Sequence, residues 1–151
     1  EDLIVETLYL QQPKIIAYVQ ELMNDPALSW RDAVKQFLHA CCYGEKNGIA
    51  VLTIEEQQLI FKRLSKESCQ VFRGRQLRLF GQILENFGIR ADTARVSLFT
   101  NLSLTVMVVR RTIPNTLPLL IPEVVDETGD FQINAIVDAL EILKEQNPQP
   151  Q

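Results

Sequence analysis

The chain has 151 residues, 46% of them hydrophobic, with 15 Lys and Arg against 19 Asp and Glu. That is enough apolar material for one ordinary domain with a real core, and it excludes wholesale disorder. The net charge of −4 is spread unevenly: residues 1–61 hold four cations against nine acids, residues 62–111 ten against three, and residues 112–151 one against seven. A basic middle between acidic ends permits internal charge pairing, and it argues against general nucleic-acid binding because acidic ends repel phosphate.

Residues 1–11 carry Leu3, Ile4, Leu8 and Leu10 and suit a first short helix. Pro13 fits the first turn of a second, Pro13 to Met23, with Ile15, Ile16, Val19, Leu22 and Met23 facing inward. Asn24-Asp25-Pro26 ends it, because the residue before a proline avoids helical angles. Ser29 to Asp32 has capping-box spacing and opens a third helix, Trp30 to about Tyr43, with Val34, Phe37, Leu38 and Cys41. Trp30, the only Trp, is expected as a core or rim anchor. Gly44 to Gly48 is a turn-rich loop, and no Gly-Lys-Ser/Thr follows it to make a phosphate loop.

The stretch from Thr53 to Phe87 organises the rest. Thr53 and Glu56 have capping-box spacing, and Glu55 and Glu56 suit the positive end of a helix dipole. Ile60, Phe61, Leu64, Val71 and Phe72 then recur on one helical face. Gly74 sits where a helix would end in a left-handed residue, and Leu77, Phe80, Leu84 and Phe87 continue at steps of three and four until Gly88. The expectation is two amphipathic helices broken near Gly74, folded as an antiparallel hairpin. Its outer face carries Lys62, Arg63, Lys66, Arg73, Arg75 and Arg78, interrupted by Glu67. Such a face is either simply solvated or a site for an acidic partner or polyanion. No aromatic interleaves with these cations, so single-strand stacking loses weight.

A helix is expected from about Asp92 to Arg111. Leu98, Leu102, Val106 and Val109 fit one face of it, although Leu102, Leu104, Val106 and Val108 also alternate as in a strand. Pro114, Pro118 and Pro122 exclude a regular helix in the apolar run that follows. That run reads as an extended strap over the helices or as an arm packing on another chain through Leu117, Leu119 and Leu120. A last helix is expected from about Asp130 to Gln146, with Phe131, Ile133, Ile136, Val137, Leu140 and Leu143 inward and Asp138, Glu141 and Glu145 outward. Its acids make it the natural internal partner of the basic hairpin. The fold class is therefore all-α: one bundle of six or seven helices over residues 1–147, a proline-rich extended segment before the last helix, and a disordered tail over 148–151.

Chemistry-bearing patterns are sparse. His39, Cys41 and Cys42 form His-Ala-Cys-Cys, but a zinc site wants about four ligands in paired spacings, and a Cys–His pair wants a third orienting group. No dinucleotide, Walker, zinc-protease or nucleophile-elbow motif is present. Most acids fall at helix starts or on polar faces rather than in apolar runs, where their pKa values would shift. Asn101-Leu102-Ser103 matches a glycosylation acceptor, which has no use inside a cell. The three cysteines read as free, mostly buried thiols of a cytoplasmic protein. No start segment has signal-peptide order and no apolar window is long enough to span a bilayer. The chain begins at Glu1 rather than Met, as expected of a trimmed chain or a piece of something longer.

The expectation is a non-enzymatic protein–protein interaction module (adaptor, assembly factor or regulator) with no cofactor or metal. It would use the six cations for an acidic partner and the three leucines for an apolar one, with a second copy of the chain as a further candidate. A nucleic-acid-associated regulator using the same basic face is the alternative.

Overall fold

The computed structural model describes residues 2–43, 54–112 and 121–146. Six α-helices pack together, and among the described residues there is no strand. They are α1 (Asp2–Asn24), α2 (Trp30–Tyr43), α3 (Ile54–Arg63), α4 (Lys66–Asn86), α5 (Thr93–Thr112) and α6 (Val125–Gln146), the last preceded by a 3-10 turn at Pro122–Val124. The expected all-α architecture with six helices is what forms. Residues 113–120 of the proline-rich segment, the Gly44–Gly48 loop and Thr53 in residues 44–53, and the tail in residues 147–151 lie outside the described residues, while the segment's last proline, Pro122, opens the 3-10 turn and Val125 already belongs to α6.

Helix α1 runs unbroken through Pro13, where two helices were expected. A proline inside a helix removes one hydrogen bond and crowds the carbonyl four residues earlier, at a cost of about 3 kcal/mol. Packing on both sides of it outweighs that cost. Val5 is buried ahead of Pro13, and Val19 and Leu22 are buried after it. The Tyr9 ring meets Phe72 at 6.1 Å, so α4 grips α1 beside the proline.

Helix α2 begins where the sequence places it. The Ser29 hydroxyl accepts from the Asp32 N–H at 3.1 Å, and the Ser29 carbonyl takes the Ala33 N–H. Trp30 fills the anchor role: its indole Nε1 donates to the Phe87 carbonyl at 2.7 Å, and the Lys144 ammonium sits 4.6 Å over its ring.

The break between α3 and α4 lies at Ser65, not at Gly74. Ser65 is extended (φ −65°, ψ 162°) and its hydroxyl accepts from the Ser68 N–H, which makes it the N-cap of α4. Glu67 in the first turn favours the dipole. Gly74 is an ordinary helical residue in the interior of α4. A helical glycine costs only about 1 kcal/mol, too little to stop a helix whose later turns are buried. The true stop is Gly88, at φ 78°. There the Ile89 N–H reaches the Leu84 carbonyl and the Gly88 N–H the Glu85 carbonyl, a Schellman closure whose apolar residues Leu84 and Ile89 are both fully buried.

Helix rather than strand forms over 93–112. Asp92 caps α5, its carboxylate accepting from the Arg95 N–H at 2.8 Å and pairing with the Arg95 guanidinium. Val96, Phe99, Ser103 and Val106 are buried at helical spacing, whereas Leu104, which alternation would bury, is exposed. Helix α6 starts earlier than Asp130 and passes through buried Gly129.

Helix α1 packs on α2 and α4, α2 on α5 and α6, and α5 on α4 and α6, while α3 touches α5. Phe37 of α2, Phe87 at the end of α4 and Phe99 of α5 form the aromatic centre, with ring centroids 5.7 to 6.4 Å apart.

Candidate partner-binding site

All six cations singled out from the sequence are exposed. None of them makes an ion pair with a described residue. They do not, however, share one face. Because α4 is continuous, about 100° separates successive residues. Lys66 and Arg73, seven apart, lie nearly in line, while Arg78 lies about 140° further round from Arg73. Arg75 and Arg78 share their side with Val71 through steps of three and four. A break at Gly74 would have reset this register, and without it the cations divide. Lys62 and Arg63 form a third group in the last turn of α3, where cations complement the free carbonyls.

Apolar side chains interleave with these groups. Leu59 is 49% exposed, Phe61 44% and Val71 53%. Phe61 makes an edge contact with Phe72 at 5.7 Å, and Tyr9 lies under the Arg75 guanidinium at 3.9 Å. Tyr9, Phe61 and Phe72 thus tie α1, α3 and α4 together away from the main core. This corrects the expectation that no aromatic accompanies the cations. The signal in the sequence is Phe61 itself, which adjoins Lys62. Leu117, Leu119 and Leu120 lie outside the described residues.

The acidic helix does not serve as the internal partner of the basic pair. Helix α6 packs on α2 and α5, and its acids grip Arg31 of α2, with Asp138 at 2.6 Å and Glu141 at 2.8 Å. The hydrogen bonds to Glu141 and then Asp138 raise the Arg31 pKa above its ordinary value. Phe131, expected inward, is 77% exposed. Ile133, Ile136, Val137 and Leu140 define the buried face of α6, and Phe131 lies about 160° from Ile133, on the other side. The spacing from Phe131 to Ile133 was the readable signal.

The thiols and the imidazole are separated in their settings. The buried Cys42 thiol lies 4.0 Å from the Val106 carbonyl, while His39 Nε2 lies 3.7 Å from the exposed Asp130 carboxylate. Burial, followed by the nearby Cys41 and Glu21, raises the pKa of half-buried Tyr18. An open groove between α1 and α4 is lined by Tyr9, Gln12, Pro13, Ile16, Ala17, Gln20 and Gln82. It holds no carboxylate, imidazole or thiol to drive acid–base or nucleophilic steps. Among the described residues no group of three or more His, Cys, Asp or Glu side chains is placed to hold a metal ion.

Comparison with protein-family models, with curated proteins and with solved structures returns no match to this chain. What the coordinates define is a helical bundle, and no described helix is long and apolar enough to cross a membrane.

Proposed function

We propose that this chain is a non-enzymatic protein–protein interaction module, an adaptor, assembly factor or regulator, that docks an acidic partner on the outer surface of α3 and α4. The observation that carries the reading is the set of exposed cations on α3 and α4 that make no ion pair with a described residue, together with the exposed apolar residues Leu59, Phe61 and Val71 on the same two helices. Exposed cations beside apolar anchors suit a protein surface that is acidic at its rim and apolar at its centre. Leu117, Leu119 and Leu120 are proposed, on their sequence alone, as a second, apolar contact. Three cysteines in the chain, an odd number with Cys41 and Cys42 adjacent, suit a reducing, cytoplasmic setting.

The test is affinity co-purification from the native cell, comparing the natural chain with Arg73→Glu/Arg78→Glu. An acidic protein retained by the natural chain and lost by the variant supports the reading. Undiminished retention of every partner overturns the role of these cations.

A second reading, a nucleic-acid-associated regulator, gains support from the half-exposed Phe61 next to Lys62, since a stacking aromatic beside a cation is what single strands use. Its measurement is a mobility shift at low salt. Affinity falling steeply with added salt supports it, and no shift of duplex or single strand removes it.

A further inference from the structure

We propose that this chain associates with itself head to tail, the outer stripe of α6 in one copy docking on the α3–α4 surface of the next. The inference rests on the reading of that surface as a docking site and names a partner for it.

The stripe runs from the end of the 3-10 turn along the length of α6. Val124, Glu127, Phe131, Asp138, Ile142 and Glu145 recur at steps of three, four and seven, on the side opposite buried Ile133, Ile136, Val137 and Leu140. Phe131 is 77% exposed and Ile142 54%, and no described contact covers either. Acids alternate with these apolar residues along about 30 Å of helix. Glu127 and Glu145 make no ion pair with a described residue, and Asp138 stays largely exposed beside Arg31.

The α3–α4 surface is its complement in both respects. On α4, Arg75 and Arg78 flank exposed Val71, and on α3, Lys62 and Arg63 follow exposed Leu59 by three and four residues. Within one molecule the two surfaces are not each other's partner, because α6 packs on α2 and α5. The charge asymmetry of the chain has the same sense, with a surplus of seven cations over residues 62–111 and of six acids over residues 112–151. A molecule with one cationic and one anionic apolar surface attracts its own kind end to end. Such a contact is heterologous: it closes into a ring or continues as an open chain.

The test uses sedimentation of the full chain at low salt, with two outward variants. One is Phe131→Ser/Ile142→Ser, which blocks the α6 stripe. The other is Val71→Asp/Arg78→Glu, which blocks the cationic surface. The natural chain is expected to gain mass with concentration and to lose that gain in high salt. Each variant alone is expected to associate at least about 30-fold more weakly, the loss of an interface hot spot. An equimolar mixture of the two retains one live surface of each kind and is expected to give a 1:1 pair and nothing larger. Circular dichroism checks that both are folded, and Glu145→Lys reads the same contact should the first variant fail.

A natural chain that stays monomeric up to about 1 mM overturns the inference, as do mixed variants that stay monomeric and association that survives both variants. A monomeric chain whose acidic foreign partner is lost on Arg73→Glu/Arg78→Glu leaves the proposed function standing and removes only self-association. Self-association without any foreign acidic partner does the reverse.

Discussion

The two halves of α4 are one helix in two surroundings. From Leu79 to its C-cap Phe87 the helix closes on the core, with Leu79, Ile83, Leu84 and Phe87 buried and the Phe87 ring set against Phe37 of α2 and Phe99 of α5. From Lys66 to Arg78 no residue is fully buried, although Leu77 and Phe72 keep the apolar period going. Apolar periodicity therefore tells where a helix can bury a face, not whether anything lies opposite to bury it against. The first half of α4, with α3, is held by a small aromatic cluster and is free to meet another molecule. The second half is structural.

This contrast predicts unequal costs. Phe99→Ala removes a ring at the aromatic centre and is expected to destabilise the chain by about 3–5 kcal/mol. Phe61→Ala removes a half-exposed ring with one edge contact and is expected to cost about 1 kcal/mol. Urea unfolding midpoints read both. Equal losses would mean that the projecting half is as tightly packed as the core.

Glycine sharpens the same comparison with opposite signs. Gly88 sits at φ 78°, so Gly88→Ala forces a side chain into left-handed backbone and is expected to cost about 1–2 kcal/mol. Gly74 lies in the helical interior, and a Cβ there meets nothing within 4 Å. Gly74→Ala is expected to stabilise by about 0.5–1 kcal/mol. A loss at Gly74 would restore the break the sequence suggests. Ser65→Ala then tests the break that forms: removing the cap that holds the Ser68 N–H is expected to cost about 1 kcal/mol.

The legible parts of the sequence were those where local and tertiary preferences agree. Ser29 with Asp32 fixes the start of α2, Asn24-Asp25-Pro26 the end of α1, and Gly88 the end of α4. The illegible parts are those where burial decides against a local signal. Pro13 and Gly74 are strong punctuation on their own, yet packing carries the helix through each. Phe131 and the division of the cations were missed for one shared reason. Both depend on where a helix starts and whether it is continuous, since register decides which face a residue occupies. The basic character of the α3–α4 region was visible from charge counts alone. Its partition into separate groups was not, because charge counts carry no angle.

The least costly test concerns Asp92, at the junction where the buried end of α4 hands over to α5. Its carboxylate accepts the Arg95 backbone N–H, and this, followed by the charges of Arg95 and Arg90, holds its pKa below the ordinary value of 3.8 despite an opposing contribution from burial. The folded chain therefore keeps Asp92 ionised at a pH where the unfolded chain has already taken up a proton. Stability from this group is present in full above the unfolded value and is lost as pH falls through the lower, folded value. Asp92→Asn keeps a capping acceptor but cannot ionise. The melting temperatures of the natural chain and Asp92→Asn are expected to differ most near neutral pH and to converge below pH 3.8. A difference that stays constant across this range would show that the Asp92 charge adds nothing to its role as a cap.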